Sequence, residues 1–342
     1  MKIVVTGGAS FIGSHLVEHL VKEGHKVSVL DDFSSGSKAN LKGAISLGVT
    51  WCPVDLRNIN PDTLSRVFFR GCDLVYHLAA EHGGRGFVAT RQLATSNNFA
   101  IDNNVIQAAV LAKIPKLIYA SSGCVYPSID RPSAEDDVEF SNEFLDTGYS
   151  PDGLYGLAKL AGELTLAQAH KESGLESVSC RFFTVFGPRA KENHASISFI
   201  ARAFTKQDPW VSWGDGSQVR DWTYVDDIVQ GLLFSCSLSG CQAINLGTPE
   251  HLTVDQAVEM VLELVRAMEG YHDYFPTIIH DPHKPVGPRY RVGDSSHYLQ
   301  QSEGTRFTPF REGLSRTIEW YFKTHDREEV SRDLDRLLIE RK

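Results

Sequence analysis

The chain has 342 residues, 42% of them hydrophobic and 23% charged, with a formal net charge of -9. That length can enclose one large core or two ordinary ones, and the mixture is that of a folded globular chain. The acidic balance argues against a general nucleic-acid binder, and no run approaches the roughly 20 apolar residues of a membrane span, so neither partner is expected.

Met1-Lys-Ile-Val-Val-Thr-Gly-Gly8 enters a strand directly, without a basic and then apolar leader. The six cysteines (52, 72, 124, 180, 236 and 241) show no CxxC pair and no zinc-like spacing, so four or five of them read as packing residues, in a reducing, cytoplasmic compartment with no metal. The strand Ile3–Val5 stops at Thr6-Gly7-Gly8, and Ile12, Leu16, Val17 and Leu20 then recur at helical spacing up to Gly24. Further strands are expected at 26–30, 49–54, 74–78, 117–121 and 178–183, and helices at about 96–112 and 155–173. This alternation predicts an α/β fold: a doubly wound, Rossmann-type parallel sheet covered on both faces.

After Gly187-Pro188 the pattern loosens. Residues 189–221 and 249–325 read as short and mixed, while 225–234 reads as a helix and 243–247 as a strand returning to the main sheet. The expected domains are therefore 1–188 plus 222–248, and a smaller mixed α/β unit of 189–221 plus 249–342. The charged stretch from His325 onward reads as a solvated surface helix.

The first strand-to-helix turn is Gly7-Gly-Ala-Ser-Phe-Ile-Gly13. Gly7 allows the tight turn, Gly13 allows close helix–strand packing, and the helix start offers N–H groups to a pyrophosphate. Ser10 stands where the middle glycine of the usual spacing would be, so the turn alone is weak. Asp31, ending the second strand about 20 residues on, is placed to hold both adenosine ribose hydroxyls and to repel a 2′-phosphate. NAD is therefore expected rather than NADP. Asp55-Leu56 suits the adenine edge, and the small residues of Leu78-Ala79-Ala80 leave room for the cofactor.

Tyr155 and Lys159 stand at i and i+4, on one helix face. An ammonium beside a phenol favours phenolate, so Tyr155 could take a proton from a sugar hydroxyl while Ser122 hydrogen-bonds the same group. A chance Tyr-x-x-x-Lys is common; its place after the fifth strand, with Ser122 upstream, is not.

Thr6-Gly-Gly-Ala-Ser-Phe-Ile-Gly13, Asp31, His77-Leu-Ala-Ala80, Ser121-Ser-Gly-Cys-Val-Tyr126, Tyr155 with Lys159, Arg181-Phe-Phe-Thr-Val-Phe-Gly-Pro188 and Gly214-Asp-Gly-Ser-Gln-Val-Arg-Asp221 resemble, in this order, the extended short-chain dehydrogenase/reductases. The likeness runs to about residue 320. It implies a nucleotide-diphosphate sugar substrate and a tightly held NAD that is reduced and reoxidised within one turnover. It also implies cofactor contacts from Ser10, Phe11, Ile12, Asp32, Asn98 and Phe182. Thr184 departs from the asparagine usual near the substrate diphosphate, where its hydroxyl could donate instead.

Dehydratases of this family carry an Asp-Glu pair after the Ser122 position; here Gly123 and Cys124 stand there. Cys124, Glu81-His-Gly-Gly-Arg-Gly-Phe87 and Asn193-His194 together are similar to the subgroup of GDP-mannose 3,5-epimerases and GDP-fucose synthases, in which the matching cysteine is a base and the position of His194, a histidine in the synthases and a lysine in the 3,5-epimerases, the opposing acid. A 4-ketone acidifies the C3 and C5 protons, so a thiolate and a cationic imidazole on opposite faces can invert those carbons. Gly83-Gly84 would let the sugar ring approach closely. Arg85, Asn193, Trp213 and Thr184 are further substrate candidates, and Arg220 and Arg291 are candidate diphosphate clamps.

The expected function is thus an NAD-dependent nucleotide-sugar epimerase acting through a 4-keto intermediate, at C3 and/or C5 of a GDP-mannose-like substrate. The alternative is a UDP-sugar 4-epimerase with Cys124 and His194 as bystanders. The resemblance implies a homodimer, since relatives pair the helices around 98–112 and 155–173 into a four-helix bundle; Val105, Ile106, Val110, Leu111, Leu157 and Leu160 permit this.

Overall fold

The structure, a computed structural model, describes residues 1–127 and 151–338, so parts of the expected domain ranges (128–150 and 339–342) lie outside the described residues. The strands up to Gly187 are β1 (Lys2–Thr6), β2 (Lys26–Asp31), β3 (Thr50–Pro53), β4 (Leu74–His77), β5 (Lys116–Ser122), β6 (Glu176–Phe182) and the short β7 (Thr184–Phe186). They are followed by β8 (Trp210–Trp213), β9 (Val219–Tyr224), β10 (Cys241–Leu246), β11 (His251–Thr253), β12 (Ile278–Asp281) and β13 (Tyr290–Arg291). One seven-stranded sheet has the order β10-β6-β5-β4-β1-β2-β3, and every pair in it is parallel. The chain builds outward from β1 to β3, then returns to place β4 on the other side of β1. Connections leave in opposite directions there, so a crevice opens beyond the C-terminal ends of β1 and β4. The segment 241–246 does return to this sheet, beside β6.

Both faces are buried, which explains the unbroken apolar runs in the strands. On one face Leu16, Val17 and Leu20 of helix Phe11–Lys22 meet Val5, Val29 and Tyr76. On the other, Val105 and Ile106 of helix Asn97–Leu111 and Leu166 of helix Gly153–Ser173 meet Val75 and Leu117. Each such side chain contributes about 1.5–3 kcal/mol on burial. Val105, Ile106 and Leu160 are therefore spent on the chain's own core and are not available to a partner. The exposed apolar side chains nearby are Leu93, Phe99, Leu111, Leu154, Leu157 and Leu164.

The stretches read as short and mixed hold regular structure. β9 pairs with β7, β11 and β13, and β8 pairs with β12. Helices Ala195–Phe204, Val254–Arg266, Phe310–Thr324 and Arg327–Leu337 pack around Trp210 and Trp222 into one core. Thr253 and Gln256 form a capping box at the start of the second of these. The C-terminal helix differs from the solvated element expected: Val330 and Leu334, with Leu338 beyond its end, are buried in that core. An apolar stripe at i, i+4 and i+8 is enough to dock a helix whose remaining residues are mostly charged.

Candidate functional site

A cavity of about 440 Å³ opens at the crevice and runs from the glycine turn to the second core. Gly7, Ser10, Phe11, Ile12, Gly13, Asp31, Asp32, Asp55, Leu56, Leu78, Ala79, Ala80 and Phe182 line one end. Ser122, Cys124, Tyr155 and Lys159 lie along it, and Gly83, Gly84, Arg85, Thr184, Asn193, His194, Trp213, Arg220 and Arg291 line the other end. The fold thus gathers around one space groups that are up to 284 residues apart in sequence, from Gly7 to Arg291. Asn98 is not among the lining residues. It is fully buried, its amide donates to the carbonyls of Glu81 and Thr95, and its oxygen accepts from the Glu81 N–H. It shapes the cavity by holding the 80–81 backbone.

At the turn, Gly7 has φ +69°, and a Cβ on Gly13 would run into the Gly7 carbonyl, so both positions require glycine. Ser10 Oγ donates to the Gly7 carbonyl at 2.7 Å and tightens the turn itself. Asp31 is 6% exposed and its oxygens accept from Ala9 N–H (2.9 Å) and Phe33 N–H (2.8 Å). Asp55 is gripped by the Arg57 guanidinium at 2.8 and 2.9 Å, which holds its carboxyl below the usual range. Its side chain is therefore less free for an adenine edge than the sequence suggests.

Tyr155 and Lys159 are 5% and 1% exposed. The expected lowering of the phenol by Lys159 does not prevail. Burial pushes Tyr155 up, Cys124 and Asp102 add to that, and only the hydrogen bond with Ser122 works the other way. The ammonium is instead 3.6 Å from the Asp102 carboxylate. Lys159 itself is pushed down by burial and up by Asp102.

Cys124 follows Ser122 in a tight turn, its N–H donating to Ser122 Oγ at 3.1 Å. Arg291 donates Nη1–H to the Cys124 sulfur at 3.1 Å and pairs with Asp152 at 2.9 Å. Arg85 reaches the same Asp152 oxygen at 2.5 Å. Nε and Nη2 of Arg291, Nε of Arg85 and both amide atoms of Asn193 are buried with no protein partner. Buried polar groups are rarely left so, and donors of this kind suit an anionic, hydroxyl-rich ligand. Arg220 behaves differently from the clamp expected. Its fork donates to the carbonyls of Val219, Val286, Pro288 and Arg289. Burial, with Arg291 and Arg85 nearby, pushes it down to about 9.

Three further readings change. A Cβ on Gly84 would collide with the Asn193 carbonyl, so that glycine joins two backbones rather than clearing space for a ring. His194 is not a resident cation: burial, then the Lys191 charge, push it down to about 4. His82, to which the sequence assigned no role, lines the cavity between Tyr155 (ring centroids 4.9 Å) and His194 (5.7 Å). Its place beside Gly83-Gly84 was the available signal. Lys191 and Asp152 carried no sequence signal.

The glycine turn, the buried Asp31 and the small-residue strand ends fit a dinucleotide. Comparison with known proteins agrees. The model of the NAD dependent epimerase/dehydratase family matches residues 3–247. GDP-mannose 3,5-epimerase of Arabidopsis thaliana is 30% identical over 343 residues, covering 96% of this chain and 84% of the relative. UDP-N-acetyl-alpha-D-glucosaminuronate decarboxylase of Bacillus cytotoxicus is 28% identical over 330 residues, with 94% and 97% covered. The solved structure of Thermus thermophilus UDP-glucose 4-epimerase complexed with NAD has a TM-score of 0.80 at 26% identity, covering 95% of this chain and 100% of that one. The chain belongs to the NAD-dependent epimerase/dehydratase family of nucleotide-sugar enzymes, with the extended short-chain dehydrogenase/reductase fold, and its cofactor is NAD.

Proposed function

We propose that this protein is an epimerase that inverts C3 and/or C5 of a nucleotide-diphosphate hexose, GDP-mannose-like, through a transient 4-keto sugar. The observation that carries the reading is Cys124: a thiol on the cavity wall, two residues past Ser122, with a guanidinium N–H on its sulfur. Bound NAD supplies the hydride acceptor that makes the alcohol–ketone interconversion possible. Tyr155 takes the C4 hydroxyl proton, Ser122 orients that hydroxyl, and the Lys159 charge supports the phenolate as it forms. Cys124, as the thiolate that the Arg291 contact steadies, removes a proton from the carbon next to the ketone and becomes the thiol. The neutral His194 returns a proton to that carbon, resupplied by the neighbouring Lys191 ammonium. The unpartnered atoms of Arg291 and Asn193 support binding of the diphosphate and sugar by the unit of 189–221 plus 249–342, with Arg85 of the first unit facing them.

NAD-loaded protein given GDP-mannose in deuterated water should place deuterium at C3 or C5. Cys124→Ala should lose that exchange while still reducing bound cofactor. Inversion at C4 without exchange, unaffected by Cys124→Ala, would instead establish a 4-epimerase. The exposed Leu93, Phe99, Leu111, Leu154, Leu157 and Leu164 support a homodimer through this helical face. Six cysteines without a disulfide among the described residues are compatible with a cytoplasmic setting.

A further inference from the structure

Asp102, on helix Asn97–Leu111, is 2% exposed and belongs to none of the steps above. Tyr119 of β5 donates its hydroxyl to one carboxylate oxygen at 2.5 Å. His77 of β4 lies 3.0 Å from the other, and Lys159 of helix Gly153–Ser173 lies 3.6 Å from that same oxygen. Behind His77 stands Thr6, the last residue of β1, whose hydroxyl is 2.7 Å from His77 Nδ1 and 3.3 Å from the Ala79 N–H. The partners fix the direction of every bond. Ala79 N–H donates to Thr6, so the Thr6 hydroxyl is free to donate to Nδ1, which leaves the proton of a neutral imidazole on Nε2 for Asp102. Every group facing the carboxylate donates or is positive, so it accepts as an anion. Burial alone would raise this carboxyl; the Lys159 charge and the His77 and Tyr119 hydrogen bonds outweigh that and leave it below the usual range.

We propose that Asp102 is a positioning residue for this site: oriented by Tyr119 and His77, its carboxylate keeps the buried Lys159 charged and seated one helical turn from Tyr155. The argument is electrostatic. Lys159 is fully enclosed, and a lone ammonium there would shed its proton. The groups that face the pair are His77, which is neutral, Tyr119, Tyr155 and Glu163. Glu163 is already engaged by Arg181 and Ser121. Asp102 is thus the counter-charge within direct reach. The same chain of bonds ties Lys159 to Thr6 and Ala79, at the ends of the two strands between which the cofactor crevice opens.

The proposal rests on the reading of Tyr155 and Lys159 given above, but its test needs no sugar. NAD-loaded protein carrying lysine labelled with carbon-13 at Cε is titrated by NMR from pH 6 to 10, with Lys159→Arg assigning the signal. Lys159 should stay protonated further up the range in the native chain than in Asp102→Asn, the midpoint falling by at least one unit, a tenfold change in proton affinity. Asp102→Thr stands in if Asp102→Asn does not fold. Equal midpoints, a Lys159 neutral throughout in both, or loss of folding in both variants would each overturn the assignment. Failure of every nucleotide sugar to reduce bound NAD would sink the proposed reaction and leave this result standing.

Discussion

The two ends of the cleft are built on different terms. At the cofactor end the polar groups already have protein partners: Asp31 with Ala9 and Phe33, Ser10 with Gly7, and Asn98 with Glu81 and Thr95. At the end proposed for the sugar, Arg291, Arg85 and Asn193 hold buried atoms with no partner, and Asp152 stands between two guanidiniums. The first end is shaped by the fold before anything binds. The second stores unmet hydrogen-bonding capacity that an anionic, hydroxylated ligand can satisfy. That contrast explains how one fold can keep a dinucleotide site constant while the substrate site varies.

Four measurements can break or sharpen this contrast. Tyr155→Phe leaves both ends intact and removes the proposed base between them, so cofactor reduction should fall by about 10²–10⁴-fold, read from absorbance of the reduced nicotinamide. Full-rate reduction would remove Tyr155 from the chemistry. Arg291→Ala should act on the sugar end alone. Losing a charge-assisted donor to an anion costs about 2–4 kcal/mol, a rise in KM of roughly 30- to 1000-fold with NAD affinity unchanged. Arg291→Lys should recover little, because the fork is lost.

The third concerns acid. Burial and the Lys191 charge push the folded His194 down to about 4 from 6.5 for the free side chain. Its neutral form is favoured above 6.5, and as pH falls from there toward 4 the unfolded chain takes up the proton first, so stability drops. The difference reaches up to about 3 kcal/mol, less what the imidazole's exposure to the cleft screens. Urea unfolding of His194→Gln should be less acid-sensitive over that window; an identical slope would mean the ring is solvated. Smallest, Asn98→Ala strands the Glu81 backbone and should cost about 1–3 kcal/mol in stability. It should also weaken NAD binding through the displaced 80–81 backbone, measurable by calorimetry. Unchanged affinity would show that this clamp does not matter to the cofactor end.

How much could be read in advance follows the same division. β1 to β6 and the helices Phe11–Lys22, Asn97–Leu111 and Gly153–Ser173 were legible because parallel strands buried on both faces leave runs such as Ile3–Val5 and Leu117–Ala120, punctuated by glycines. The helix Val254–Arg266 was not, although its capping box and its apolar residues at 257, 258, 261, 262 and 265 were in view, because aromatics and prolines around it suggested loops. The charged helix Arg327–Leu337 hid its buried stripe for a related reason: composition averages over faces, and only one face docks.

The sequence by itself determined the class of fold, the cofactor turn, the Tyr155–Lys159 pair and the suspicion attached to Cys124, because each depends on residues close together along one strand or helix. The tertiary structure alone decided what those residues touch. It gave Lys159 to Asp102, Arg220 to a loop, Gly84 to Asn193 and Arg291 to the Cys124 sulfur. Local periodicity and spacing encode secondary structure, whereas the surroundings of a buried group depend on neighbours brought from 57 residues away, for Lys159 and Asp102, to 167, for Arg291 and Cys124.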